Sequence, residues 1–207
     1  MEILNRRLLA VLAAIFFSFS SQAQLNDNML KAFKASYTNE YKGNYSGAVA
    51  DMQKAYTADS YEMNLRLGWL CYQAKQFTQS LEYYEKAIGL RKYSVEARFG
   101  YIKPANELKK YDKVYDMYEE ILKIDPYNSV ANYWVGVSYY QAKKYDIALK
   151  YLELVVNMYP FDYDANLMLG WTYLALGRNA DAGIVFTHAL YNRPGDASAT
   201  DGLSKCK

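Results

Sequence analysis

The chain has 207 residues, 52% hydrophobic and 22% charged, and Lys+Arg 24 against Asp+Glu 22 leaves a formal charge of +2. That composition supports a sizeable core and excludes disorder as the dominant state, while the near-neutral balance, without any long basic run, excludes nucleic-acid binding driven by bulk charge. With Pro 4 and Gly 11 there are too few turn-formers for an architecture of many short strands, so the composition points to helices. One histidine, His188, and two cysteines, Cys71 and Cys206, have neither the number nor the spacing of a zinc site, a disulfide framework or a catalytic set. No metal, no cofactor and no catalytic residue is expected.

Along the chain, Arg6 and Arg7 precede the run Leu8 to Phe19, apolar except for Ser18, and Ser20-Ser21-Gln22-Ala23-Gln24 follows. Basic, apolar, then small is the order of a secretory signal, and Ser21 and Ala23 fit the minus-three and minus-one positions. Residues 1–23 are expected to be cleaved, since the apolar run is well short of the ~20 residues that span a bilayer; retention as an anchor is the competing reading. Cleavage removes Glu2, Arg6 and Arg7 and leaves a nearly neutral protein. An exported chain sits in an oxidising compartment, the periplasm if the source is Gram-negative, yet Cys71 lies in an apolar helical pattern and Cys206 in the polar tail, so two free thiols are expected.

Residues 24–60 form a degenerate first unit. Leu30, Phe33, Tyr37 and Tyr41 fall on one helical face, and Ala48, Met52 and Ala55 on a second. From there a fixed step of 34 residues appears: Ser80, Val114, Ala148 and Ala182; Tyr84, Tyr118, Leu152 and Phe186; Ala87, Ile121, Val155 and Ala189; Pro126, Pro160 and Pro194. Ala48 to Ser80 is two residues short of that step. Within a unit, Leu169-Gly170-x-x-Tyr173 makes one stripe and Ala182, Phe186 and Ala189 another. Small residues let two helices approach, large ones fill the space toward the next unit, and Pro stops the second helix. Asp112 and Asp146 stand where they are expected to cap second helices.

This period and pattern resemble the tetratricopeptide repeat. The resemblance implies an all-α, right-handed α-solenoid of about five antiparallel helix pairs, with units at 61–94, 95–128, 129–162 and 163–196 after the degenerate first one, and a C-terminal cap or tail at 197–207. Two departures stand out. Asn64, Arg98, Asn132 and Asn166 replace the family's Trp, and in the unit 95–128 Ile102 replaces its Gly while Gly100 and Pro104 interrupt the first helix, which is expected to kink or split.

By resemblance, first-helix positions line a concave groove, here rich in aromatics: Trp69, Tyr72, Phe99, Lys103, Asn106, Tyr133, Tyr140 and Trp171. The Lys/Asn/Arg clamp by which some relatives hold chaperone carboxylates is absent, because Leu65, Trp69, Phe99 and Lys103 occupy its positions. The turn inside successive units carries Lys75, then Lys109 and Lys110, then Lys143 and Lys144, then Arg178, a basic edge suited to an anionic partner or a weak contact with an anionic membrane surface. The expected function is an exported scaffold that holds a protein or peptide partner in the groove, with envelope assembly as its setting. Self-association into a homo-oligomer is the alternative. An accessory enzyme role has almost no non-repeat chain to house it, and carboxylate pairs such as Asp112 with Asp116 are what solvated helix faces produce.

Overall fold

The computed structural model describes residues 27–207; the expected signal segment lies outside the described residues. These fold as eleven helices with no strand among them: α1 (residues 27–41), α2 (Tyr45–Gln53), α3 (Tyr61–Gln73), α4 (Phe77–Leu90), α5 (Val95–Glu107), α6 (Tyr111–Ile124), α7 (Ser129–Gln141), α8 (Tyr145–Met158), α9 (Tyr163–Ala175), α10 (Asn179–Asn192) and α11 (Ala197–Ser204). They divide into two compact units, one ending at Leu108 and one spanning Lys109–Lys207. In unit 1, α3 pairs with α4, and α5 lies beside both. In unit 2, α7 pairs with α8 and α9 with α10, while α9 touches both α7 and α11, so the odd-numbered helices again lie side by side.

Each odd helix from α3 onward begins at a polar cap one repeat apart: Ser60, Ser94, Asn128, Asp162 and Asp196 accept from the backbone N–H three residues on. Four residues past the first four of these caps come the departures from the family pattern, and the fold gives them a reason. Asn64, Asn132 and Asn166 are buried. The Asn132 Nδ2 donates to Pro126 O and Asn128 O, both at 2.9 Å, the Asn166 Nδ2 to Pro160 O at 2.9 Å and Asp162 O at 2.7 Å, and Asn64 makes the same pair of bonds to Ala58 O and Ser60 O. At the fourth position Arg98 donates to Ser94 O at 2.9 Å. A buried amide here ties the inter-repeat loop to its helix, a task the indole N–H cannot duplicate with its single donor.

Asp112 and Asp146 do not cap. The caps of α6 and α8 are Lys110 and Lys144, which make no side-chain bond, and both aspartates lie inside the first turn, where they act on the helix dipole. The even helices start directly out of a tight turn whose preceding residue has positive φ: Gly43 and Gly177, but also Lys75 (60°), Lys109 (55°) and Lys143 (58°). The turn completes the end of the odd helix, as when Lys143 N donates to Tyr140 O and Lys144 N to Tyr139 O. A side chain in this left-handed conformation costs roughly 1–2 kcal/mol, which glycine avoids. Lys143→Gly is therefore expected to stabilise the protein by about 1 kcal/mol, read as a rise in the urea midpoint at unchanged slope.

α5 is not split. It continues as one α-helix through Pro104, which is buried three residues before its end. In the first unit the buried face of α1 is Ala32 and Ser36, with Met29 and Phe33 packed beside it, whereas Leu30, Tyr37 and Tyr41 are exposed. The buried face is rotated from the expected one because Leu30, Tyr37 and Tyr41 share a helical spacing with Phe33 without belonging to the core. On α2, Ala48 and Met52 are buried as the pattern required, together with Val49, and Ala55, just past the helix end, is half-buried.

Glycines set how closely the odd helices approach the even one between them. The Tyr84 ring lies against Gly68 of α3, where an added Cβ would be 3.0 Å away, and closer still to Gly100 of α5, where an added Cβ would clash with the ring edge at Cε1 and Cζ. Three repeats later the Phe186 ring lies between Gly170 of α9, at 2.6 Å from an added Cβ, and Gly202 of α11. This contact gives Gly202 a packing role within α11. Where the second glycine is missing the packing changes: the smaller Leu152 accompanies Met168, whereas Tyr118 is retained and Trp134 stacks on its ring with centroids 6.4 Å apart.

Candidate binding cleft

In unit 1 the side-by-side helices α1, α3 and α5 enclose a cleft of about 560 Å³. Its walls include Phe33 and Tyr37 of α1, Leu65 and Trp69 of α3, and Phe99 and Lys103 of α5. Trp69, Phe99 and Lys103 were expected here; Trp69 and Phe99 are half-buried and Lys103 exposed. The Lys103 Nζ stands 5.1 Å from the Trp69 ring centre, which places a cation over the indole face. Tyr72 lies beside the cleft, its ring 6.1 Å from Trp69 and 5.9 Å from Phe77, and Asn106 is exposed at the end of α5.

A buried charge cluster fixes this wall. Arg66, 8% exposed, pairs with Glu40 at 2.6 Å, donates to Ser36 Oγ at 3.2 Å and 3.3 Å, and stacks 3.8 Å from the Tyr37 ring centre. The Trp69 Nε1 donates to the same Glu40 at 2.9 Å, so the indole is oriented by α1. Burial alone would raise the Glu40 carboxyl, but the hydrogen bonds from Trp69 and Arg66 and the Arg66 charge hold it below the ordinary glutamate range. Glu62 and Glu96 stand at the opposite end of the cleft, in the first turns of α3 and α5, where the Tyr61 hydroxyl donates to Glu96 at 3.2 Å and contacts Ser94 Oγ at 2.8 Å. Sequence reasoning missed Tyr37, Glu40 and Arg66, because the two-residue slip of the first unit hides which α1 residues face α3.

Unit 2 is different. Tyr133, Tyr140 and Trp171 are half-buried and pack on the core, and Val137 between them is buried. Trp171 meets Phe186 edge-on at 5.2 Å, donates to Ser198 Oγ at 3.2 Å and carries Lys205 over its ring at 5.1 Å, so α11 covers it as α5 covers Trp69. The cleft of about 440 Å³ that opens in this unit lies at the helix ends, among Val130, Tyr133 and Trp134 of α7, Val155 of α8, Tyr159, and Asp162 and Asp164 around the start of α9. Burial, with Asp164 and Asp162 adding to it, pushes the Tyr133 phenol up to about 12.

Of the basic edge, Lys75 is exposed in unit 1, and Lys109, Lys110, Lys143 and Lys144 are exposed in unit 2. Arg178 is exposed but engaged: it pairs with Asp181 at 2.7 Å and lies 4.4 Å from the Tyr173 ring centre. Cys71 and Cys206 are free thiols, and burial pushes the Cys71 thiol up to about 11, which keeps it protonated and unreactive. His188 is a half-buried helix residue beside Tyr191. Among the described residues no group of three His, Cys, Asp or Glu side chains is placed to hold a metal ion, and no helix is long and apolar enough to cross a membrane.

Antiparallel helix pairs stacked at a 34-residue step, with side-by-side odd helices bearing the aromatic wall, define an all-α repeat protein of the binding-scaffold type. The sequence profile of the tetratricopeptide repeat matches residues 38–97 and 131–197, more than half of the chain, and the chain belongs to that family. Solved structures share the fold. MamA protein is 20% identical over 83% of this chain and 95% of its own, with a TM-score of 0.69. A tetratricopeptide repeat protein from Parabacteroides merdae is 17% identical over 87% and 72%, with a TM-score of 0.72. YrrB, described as a TPR protein with an unusual peptide-binding site, is 20% identical over 78% and 81%, with a TM-score of 0.65. Comparison with curated proteins gives no match.

Proposed function

We propose that the protein is an exported scaffold that holds an extended segment of a partner protein in the unit 1 cleft. The observation that carries this reading is the pair of half-buried aromatics, Trp69 and Phe99, in the wall of the cleft of about 560 Å³ among α1, α3 and α5. An apolar side chain of the partner gains by leaving water against Trp69, Phe99, Phe33 and Leu65, while Glu62 and Glu96 at one end and Lys103 at the other give the segment a direction. The Arg66–Glu40 pair holds the indole before the partner arrives, so little ordering remains to be done on binding. YrrB, with its peptide-binding site, supports a peptide as the occupant.

Selection of a displayed random-peptide library tests this. Enriched peptides are expected to carry a bulky apolar residue and to lose binding about tenfold or more to Phe99→Ala, whose helical signal stays intact. Enrichment that is indifferent to both Phe99→Ala and Trp69→Ala would refute the site. Export, into the periplasm and toward envelope assemblies if the source is Gram-negative, rests on the order Arg6-Arg7, Leu8 to Phe19, Ser21-x-Ala23. N-terminal sequencing of the native protein is expected to begin at Gln24; recovery of Met1 from membranes would favour an anchor.

A further inference from the structure

Unit 2 is chemically polarised along its helices. They are antiparallel and of 13 or 14 residues, about 20 Å long, so the turns within pairs gather at one end and the loops between pairs at the other. The first end carries Lys109, Lys110, Lys143 and Lys144, and each lysine pair is followed by a tyrosine, Tyr111 or Tyr145. Lys109, Lys110 and Lys143 have no ion-pair or ring partner among the described residues, and Lys109 and Lys143 hold the left-handed conformation despite its cost. The other end carries Tyr127 and Phe161, one repeat apart at the loop tips, 69% and 63% exposed and without a ring contact among the described residues. Next to them, Trp134 and Val130 are nearly half exposed around the 440 Å³ cleft, whose charged members are Asp162 and Asp164.

We propose that these two ends bind each other between copies: the lysine end of unit 2 in one molecule seats on the acidic aromatic end of unit 2 in a second. Three features select a second copy as the occupant. The net charges are opposite, since four lysines outnumber Asp112 and Asp146 in the adjoining first turns. The features on both ends recur with the same repeat, so Lys109/Lys143 and Tyr127/Phe161 are set at the spacing of the same stacked pairs. The chain as a whole is close to neutral, which removes long-range repulsion between copies. Burial of Tyr127, Trp134 and Phe161 supplies the attraction, and lysine–carboxylate pairing sets the register. Such a contact is heterologous, so it propagates as a ring or an open filament rather than closing as a two-fold dimer. This use of unit 2 is independent of the unit 1 cleft.

Sedimentation velocity on the purified protein, with charge-reversed variants, tests the contact. The wild-type sedimentation coefficient is expected to rise with concentration at low salt and to fall toward the monomer at about 0.5 M salt. Lys109→Glu, Lys110→Glu, Lys143→Glu and Lys144→Glu together, and separately Val130→Lys with Asp164→Lys, should each weaken self-association about tenfold or more, because each variant then has two ends of the same net charge. Mixing the two variants restores opposite ends and should restore association, which also shows that both are folded. A concentration-independent wild-type monomer, or a mixture that stays monomeric while the wild type associates, would overturn the proposal. So would a monomer whose lysine end instead binds phosphatidylglycerol vesicles, an outcome that would assign that end to a lipid surface.

Discussion

Gly100→Ala is expected to cost about 3 kcal/mol, at the upper end of what overpacking a core site exacts. The added methyl would clash with the Tyr84 ring, which has little room to retreat because it also packs tightly on Gly68. The control is Gly89→Ala in α4, where an added Cβ meets nothing within 4 Å; there the substitution should stabilise by about 0.5–1 kcal/mol, because a helical glycine is replaced by the best helix former. The chain contains its own rescue. Two repeats after Tyr84 and Gly100 stand Leu152 and Met168, a smaller knob against a larger neighbour, so adding Tyr84→Leu to Gly100→Ala should recover more than half of the loss. Urea unfolding of the four proteins forms a double-mutant cycle, and additive losses would show that Gly100 is needed for the helix path beside Pro104 instead of for the ring.

Arg66→Met is expected to cost about 3 kcal/mol, since it leaves Glu40 partly buried with its cation gone and Ser36 Oγ without its donor. It should also loosen Trp69, whose indole shares Glu40, and so weaken peptide binding in the same variant. The linkage to pH has a definite sign. Because the folded Glu40 carboxyl sits below its ordinary value, its contribution is present above the unfolded pKa and is lost as pH falls through the folded one. Acid should therefore destabilise the wild type more steeply than Glu40→Gln below the ordinary glutamate range. Parallel stability curves for the two proteins would show that Glu40 titrates alike folded and unfolded.

The repeat itself was legible because its spacing residues are local: Ala148, Leu152, Val155 and Pro160 lie within one helix and its exit, and each is read by counting along the chain. The aromatics Trp69 and Phe99 were legible for the same reason. What was hidden depends on other segments. Whether Tyr84 needs a glycine at 100 is decided by how closely α5 approaches α4, and the Glu40–Arg66–Trp69 cluster joins α1 to α3 across a unit whose turn is shifted by two residues. The capping ladder at Ser60, Ser94, Asn128, Asp162 and Asp196 was within reach, since its 34-residue step is as regular as that of the prolines. Asp112 and Asp146 drew attention away from it because a carboxylate near a helix start satisfies both a cap and a first-turn charge, and only backbone geometry separates the two. The aromatic loop tips Tyr93, Tyr127 and Phe161 likewise share the step, yet a sequence pattern cannot tell an exposed ring from a packed one.

Site-specific photocrosslinking in cells tests the cleft most directly. A benzophenone side chain at position 99 is predicted to capture one dominant protein, with the crosslink mapping to an extended segment that carries a bulky apolar residue, and Trp69→Ala in the same chain should abolish that band. The same side chain at position 89, on an open stretch of α4, should capture nothing comparable. Equal capture from positions 99 and 89, or a band at 99 that survives Trp69→Ala, would contradict a partner held between α1, α3 and α5.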